Sequence, residues 1–144
     1  MAERIFRIRQ RCRYRGRENT VEGLVVEHPV DGEWGEFSLD VHTPGFLIFV
    51  YAVLSCQHLY LRTNAAERGL VLESGEGSIA LTAAEDWEIE LIRVHFDLVL
   101  RSGWPRDRDE EYIVARMKAC PVSRNVRQWA LKDTSLSFSG GDEP

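Results

Sequence analysis

The chain has 144 residues, of which 44% are apolar and 28% charged, a size and balance typical of one globular domain. This composition excludes a disordered chain and a fibrous repeat, and we expect a single domain over residues 1–144. The formal net charge of −5 argues against a protein that binds nucleic acid through its bulk charge. The first residues lack the apolar core of a secretory signal, and the three cysteines fit a reducing compartment, so we expect a cytoplasmic protein.

The positive charge is concentrated at the start of the chain. Residues 1–17 hold seven arginines and one acid, whereas residues 18–144 hold 11 bases and 22 acids. Six of these arginines alternate with other residues, at positions 7, 9, 11, 13, 15 and 17. A period of two predicts a strand with one solvated or partner-covered face rather than a nucleic-acid-binding tail.

The first third of the chain predicts an antiparallel meander of three strands. The first strand ends at a turn over 16–19, and a second strand follows over Thr20–His28. Residues Pro29–Gly35 are expected to form a loop, with Asp31-Gly32 as its turn signal. The alternating apolar residues of Glu36–Val41 predict the third strand.

A long helix is predicted over residues 44–68. Thr43 would cap it with Pro44 in its first turn, and Gly69 is a natural C-terminal cap. Every residue over 46–56 is apolar except Ser55, a run too short to span a bilayer. Because a helix that is apolar on all sides must be buried on all sides, we expect a second subunit to cover part of it.

Further strands are predicted after this helix. Residues Leu70–Leu81 are interrupted by Gly75 and Gly77 and predict a hairpin. Residues Trp87–Arg101 alternate clearly, and a change of phase predicts a bulge or bend near 91–92.

Two short helices and a last strand complete the predicted α+β fold. One helix would start at Asp107, with Glu110 in capping-box position, and end at Cys120. Pro121 would start the next helix, with one face formed by Val122, Val126, Trp129 and Ala130. Residues Thr134–Phe138 predict the last strand.

Two cysteines are candidates for chemistry. Cys56 lies well inside the long predicted helix, where it is either a small core residue or a reactive thiol. Because burial raises a thiol pKa, a reactive Cys56 would need a cation, and the arginine-rich first strand is the obvious source. Cys120 lies at a helix N-terminus, where free backbone N–H groups lower a thiol pKa, so we expect Cys120 to be the more acidic.

Other chemistries find little support in the sequence. His58 follows Cys56 by two residues, and side chains two apart on a helix point away from each other, which argues against a shared metal ion. The sequence has no nucleophile elbow around a serine and no Gly-rich phosphate loop. We therefore expect neither a metal nor a cofactor.

Two motifs and the order of the predicted elements resemble the OsmC/Ohr family of thiol-dependent hydroperoxide reductases. The first motif is the apolar run of the long helix, which closes with Leu54-Ser55-Cys56 and is followed by residues 65–70 (AAERGL). The second is Ala119-Cys120-Pro121-Val122-Ser123. The resemblance covers nearly the whole chain. It implies an α+β fold with an N-terminal meander, a long buried central helix, further antiparallel strands and two shorter helices, in an intertwined homodimer.

The resemblance implies that Cys56 is the peroxidatic cysteine and Cys120 the resolving one. Cys56 would reduce an organic hydroperoxide, and a dithiol reductant, lipoyl-type or a small thiol, would reopen the resulting disulfide. No nucleic acid and no membrane takes part in such a reaction. Cys12 would lie apart from both cysteines and be inert.

The family also binds the thiolate with an arginine from the first strand or its turn. Arg17 matches best, and Arg15 is the alternative. A glutamate that follows the proline at the helix start normally pairs with this arginine, but here Pro44 is followed by Gly-Phe-Leu. Asp40 and Glu36 are the nearest upstream acids. The absent glutamate leaves a second hypothesis open: a non-catalytic protein that binds an apolar or thiol ligand in the dimer-interface pocket.

Overall fold

The computed structural model describes residues 3–126 and 131–144, which form a six-stranded mixed sheet and helices. In chain order the elements are β1 (Arg4–Arg15), β2 (Thr20–Val30), β3 (Glu33–Glu36), α1 (Gly45–Glu67), β4 (Val71–Ala83), β5 (Ile89–Ser102), α2 (Asp109–Lys118), α3 (Pro121–Arg124) and β6 (Leu131–Gly140). The strand order is β3-β2-β1-β4-β5-β6. All neighbours are antiparallel except β5 and β6, which are parallel. The predicted α+β class is confirmed.

Strand β1 has the two faces that its arginines predict. Ile8, Cys12 and Tyr14 are buried on the side that faces α1, and the arginines between them lie on the other side. Arg9 on this outer face forms an ion pair with Glu27 of β2, with 2.8 Å between Nε and Oε1. The strand therefore forms because alternate residues enter the core while the charged ones stay in solvent.

The third strand of the meander is displaced from its predicted position. Strand β2 continues to Val30, and β3 occupies Glu33–Glu36 rather than Glu36–Val41. The reason is the turn at Asp31-Gly32, where both residues have positive φ values of 52° and 83°. Two such residues form a tight hairpin turn that pairs Val30 directly with Glu33.

Helix α1 ends as predicted but begins differently. Pro44 takes the N-cap position, and the hydroxyl of Thr43 instead donates a hydrogen bond to the carbonyl of Ser38 at 2.9 Å. At the other end Gly69 has a φ of +76°, and the N–H of Leu70 donates to the carbonyl of Ala65 at 2.9 Å. This pattern is the Schellman motif that a glycine cap predicts.

By length and composition α1 is long and apolar enough to cross a membrane, so the expectation that its apolar part is too short was wrong. However, three polar residues of α1 are buried inside the domain: Gln57, His58 and Asn64. Their side chains bond to Ser123, Tyr14 and the carbonyl of Tyr60, respectively. Such internal partners are typical of the core helix of a folded domain.

Strand β4 is one continuous strand rather than the predicted hairpin. A Cβ atom on Gly77 would lie 2.3 Å from the ring of Phe96, and one on Gly75 would lie 3.0 Å from the hydroxyl of Tyr14. The two glycines therefore make room for aromatic side chains of β5 and β1. The predicted bulge is confirmed, because Thr82 pairs with Leu91 and Ala83 with Ile89.

Helix α2 begins two residues after its predicted start. Arg108 has a positive φ of 70°, and a carboxylate oxygen of Asp109 accepts a hydrogen bond from the N–H of Arg106 at 2.9 Å. The carboxylate of Asp109 thus closes this turn, so the capping box predicted at Asp107 is wrong. Helix α3 begins at Pro121 as predicted and ends at Arg124. The part of the predicted helix face at Trp129 and Ala130 lies outside the described residues.

Candidate active site

The two candidate cysteines are neighbours in the folded chain. Cys56 is half-buried in the middle of α1, and Cys120 is buried immediately before α3. Their side chains lie close enough for the Cys56 thiol to raise the pKa of the Cys120 thiol, and both thiols are free. Helix α3 therefore presents Cys120 to the flank of α1 that carries Cys56.

The Cys120 thiol is a weak acid in this position. Burial, together with the neighbouring Cys56 thiol, raises the pKa of Cys120 to about 11. The backbone N–H groups of Ser123 and Val122 lower this pKa, but by less than burial raises it. The expectation that a helix terminus lowers the pKa of Cys120 was wrong, because desolvation outweighs the effect of these N–H groups. Cys120 is consequently protonated near neutral pH.

A buried amide connects the elements that carry the two cysteines. The Nε2 of Gln57 donates to the hydroxyl of Ser123 on α3 at 3.3 Å. Its Oε1 accepts from the hydroxyl of Thr134 on β6 at 3.1 Å. Sequence reasoning missed Gln57, although a polar residue within a long apolar run is itself a signal of a buried hydrogen bond.

A recess of about 390 Å³ lies two helical turns from Cys56 along the same side of α1. One part of its lining is apolar and the other polar: Phe49, Trp87, Ile89 and Val126, with Asp86, Glu88 and Asn125. Trp87 has a positive φ of 71°, which is unusual for a bulky residue. Its ring contacts Phe46, with 5.2 Å between centroids, and the guanidinium of Arg4 lies 4.1 Å above it. Phe49 and Trp87 thus give the recess an aromatic part beside its polar residues.

The opposite flank of α1 carries a second buried polar cluster. The hydroxyl of Tyr14 lies 2.7 Å from Nε2 of His58, and the His58 ring is stacked on Phe96 at 5.4 Å. Burial lowers the pKa of His58 to about 3, so the imidazole is neutral. Cys12 lies two residues before Tyr14 on the same buried face of β1, and burial raises the pKa of its thiol. His58 therefore points away from Cys56, as its spacing predicts.

The candidate arginines Arg17 and Arg15 are both exposed at the turn between β1 and β2. Asn19 of this turn donates a hydrogen bond to the carbonyl of Arg62 at 3.2 Å. Arg62 follows Cys56 by six residues, which corresponds to about 9 Å along α1 and about 120° around it. Within residues 3–126 and 131–144, no hydrogen bond or ion pair joins either arginine to Cys56.

Neither upstream acid takes the place of the absent glutamate within one chain. A carboxylate oxygen of Asp40 accepts a hydrogen bond from the N–H of His42 at 2.7 Å, which closes a turn before α1. Glu36 lies exposed at the end of β3. In the described part of the chain, neither carboxylate forms an ion pair with Arg17.

These features define an α+β protein with a pair of free thiols beside a central helix. No family model matches the sequence, and no curated protein matches it. Two solved structures are similar. An OsmC-like protein from Mycoplasma pneumoniae has a TM-score of 0.55 and 10% identity, over 80% of this chain and 89% of that one. An OsmC-like hydroperoxide resistance protein from Jannaschia sp. CCS1 has a TM-score of 0.51 and 15% identity, over 84% and 85%. The chain has the OsmC-like fold, as the motifs predicted.

Proposed function

We propose that this protein reduces organic hydroperoxides, with Cys56 as the peroxidatic cysteine and Cys120 as the resolving cysteine. The observation that carries the proposal is the juxtaposition of these two free thiols on α1 and before α3. The Cys56 thiolate attacks one peroxide oxygen, and the O–O bond breaks. The alkoxide leaves and takes up a proton to give the alcohol, while the sulfur is oxidised to a sulfenic acid.

The second half of the cycle removes the sulfenic acid. The Cys120 sulfur attacks the Cys56 sulfur, the S–O bond breaks, and hydroxide leaves with the thiol proton as water. A dithiol reductant, lipoyl-type or a small thiol, then reopens the disulfide by two exchange steps and becomes oxidised itself. A reducing cytoplasm, the location that we expect, would maintain such a reductant. The structural similarity to the OsmC-like hydroperoxide resistance protein from Jannaschia sp. CCS1 supports this chemistry.

The recess near Cys56 supports an organic rather than an inorganic peroxide as substrate. Its walls at Phe49, Trp87 and Val126 offer apolar surface on the side of α1 that carries Cys56. Burial of the alkyl or aryl group of a hydroperoxide there would be favourable, at about 25 cal/mol per Å² of apolar surface removed from water. Hydrogen peroxide has no such group.

A homodimer is part of the proposal. The outer face of α1 leaves Ile48 39% exposed and Leu59 49% exposed, and Leu24 on the side of β2 that faces α1 is 45% exposed. A second copy would cover this apolar surface, which a single chain leaves in water. Because Arg17 does not contact Cys56 within one chain, its role in binding the thiolate requires that it reach Cys56 across the dimer interface.

Thiol titration tests the redox cycle. One equivalent of cumene hydroperoxide should consume two thiols per chain and produce a Cys56–Cys120 disulfide that dihydrolipoate reduces. Cys120→Ser should instead accumulate a sulfenic acid that dimedone traps, and Cys56→Ser should lose no thiol quickly. A protein that binds the hydroperoxide but retains all three thiols would favour the non-catalytic, ligand-binding alternative.

Subunit complementation tests the arginine. Arg17→Ala should slow oxidation of Cys56 at least tenfold, with Arg15→Ala as the matched control. A purified heterodimer of Arg17→Ala and Cys56→Ser chains retains Cys56 in one chain and Arg17 in the other. It should regain about half of the wild-type rate if the arginine acts across the interface. An inactive heterodimer would mean that Arg17 serves Cys56 within its own chain.

A further inference from the structure

We propose that Gln57 is a positioning residue for the resolving step: its hydrogen bond to Ser123 holds Cys120 where it can attack oxidised Cys56. This inference rests on the proposed redox cycle. It assigns a role to a residue that contacts neither peroxide nor the reacting sulfur atoms.

Gln57 joins the nucleophile's helix to the resolving cysteine's helix. It follows Cys56 directly on α1 but is 1% exposed, and both ends of its amide have partners. Nε2 donates to the hydroxyl of Ser123, which is also 1% exposed, and Oε1 accepts from the hydroxyl of Thr134. The buried, directional bond to Ser123 fixes the distance between α1 and α3 more narrowly than apolar contact does.

Ser123 in turn determines where the Cys120 sulfur lies. The two residues belong to the same helical turn, in which the N–H of Arg124 donates a hydrogen bond to the carbonyl of Cys120 at 2.9 Å. The carbonyl of Ser123 accepts a hydrogen bond from Nζ of Lys132 on β6 at 3.0 Å. Gln57 and Lys132 therefore hold Ser123 from two sides, and Cys120 moves with it.

Helix α3 needs such anchors because it is too short to be stable alone. It has four residues, Pro121–Arg124, fewer than an isolated helix requires. If the Gln57 bond is lost, α3 samples more positions and the Cys120 sulfur spends less time beside Cys56. The effective concentration of the Cys120 thiol toward the Cys56 sulfenic acid then falls. A competing external nucleophile therefore captures more of the sulfenic acid.

Two variants remove this bond from opposite sides, and a third serves as the control. Gln57→Met keeps the length of the side chain without an amide, and Ser123→Ala removes the acceptor hydroxyl. Thr134→Val deletes the other bond of Gln57 and preserves the one to Ser123. All three lose one or more buried hydrogen bonds, so a general loss of stability affects the control as well.

The readouts are the partition of the Cys56 sulfenic acid between disulfide and dimedone, and the reduction potential of the Cys56–Cys120 pair. In Gln57→Met and Ser123→Ala we expect about tenfold more dimedone adduct. A tenfold lower effective concentration also makes the potential less negative by about 30 mV. Thr134→Val should stay near the wild type in both. The rate of Cys56 oxidation is measured in parallel, which separates the first step from resolution.

The outcomes separate the two proposals. One outcome is that the wild type forms the disulfide while Gln57→Met and Ser123→Ala divide the sulfenic acid between disulfide and dimedone in the same ratio as the wild type. In that case Gln57 has no positioning role and the proposed function stands. If Thr134→Val shifts both readouts as far as Gln57→Met does, the effect is general loosening and the inference is wrong. If peroxide never oxidises Cys56 in the wild type, the proposed function fails and the inference fails with it.

Discussion

His58 should make the folded protein lose stability as the pH falls, because the folded state does not accept its proton. The imidazole is 5% exposed, its Nε2 lies 2.7 Å from the hydroxyl of Tyr14, and its ring is stacked on Phe96. Burial, with the charge of Arg62 as a second cause, lowers its pKa from 6.5 to about 3. His58 is therefore neutral in the folded state at pH 4.5 and above.

The sign and size of the effect follow from these two pKa values. Above pH 6.5 the imidazole is neutral in both states, and His58 contributes no pH dependence. Below pH 6.5 the unfolded chain binds a proton that the folded chain does not, so the free energy of unfolding falls by about 1.4 kcal/mol per pH unit. Summed from high pH down to pH 4.5, the loss is about 2.7 kcal/mol, a large part of the roughly 5–15 kcal/mol that stabilises a domain.

Urea unfolding at pH 7.0 and pH 4.5, at one protein concentration, measures this loss. His58→Gln keeps a polar partner for Tyr14 and removes the titrating ring, whereas His42→Gln changes an exposed histidine. The wild type and His42→Gln should lose about 2.7 kcal/mol more than His58→Gln between the two pH values. Equal losses in all three proteins would refute the assignment of a buried, neutral His58.

Three further predictions concern packing, assembly and thiol reactivity. Gly77→Ala places a Cβ against the Phe96 ring and should cost about 2 kcal/mol in urea unfolding. Gly23→Ala, with open space at its Cβ, should be near neutral, and equal costs would contradict the close approach at Gly77. Leu59→Glu should convert the expected dimer to a monomer in sedimentation, whereas Val99→Glu, on the outer face of the sheet, should not; a dimer that survives Leu59→Glu does not use this face of α1. Buried Cys12 should resist iodoacetamide until the protein unfolds, and rapid alkylation of the native protein would show that the Cys12 thiol is accessible.

The parts of the fold that the sequence predicted are those with local signals. The alternation of arginines specifies both faces of β1, and Gly69 specifies the end of α1, because each signal acts within a few residues. The continuous strand β4 was predicted as a hairpin because the reason for its glycines lies in residues distant in the sequence. Gly77 is required by Phe96 of the neighbouring strand, and no local pattern distinguishes such a glycine from a turn glycine.

The same limit applies to the candidate site. The motifs around Cys56 and Cys120 predicted the pair that the fold brings together, but the acidity of Cys120 depends on burial and on its neighbour. The helix terminus alone predicted a lowered pKa for Cys120, whereas burial raises it. Gln57 reads in the sequence as one polar residue in an apolar run, and its partners Ser123 and Thr134 come from elements far along the chain.

The length of α1 separates the helix start, where the glutamate is absent, from the turn that carries Arg17. The turn that carries Arg17 packs against the helix near Arg62, whereas Asp40 precedes Pro44 at the other end. Eighteen residues separate Pro44 from Arg62, which is roughly 27 Å along the helix axis. An acid at the start of α1, such as Asp40, therefore cannot orient Arg17 of the same chain. A glutamate at the helix start would likewise lie too far from Arg17 of its own chain, so we expect any pairing of Arg17 with Cys56 to form across the proposed dimer interface.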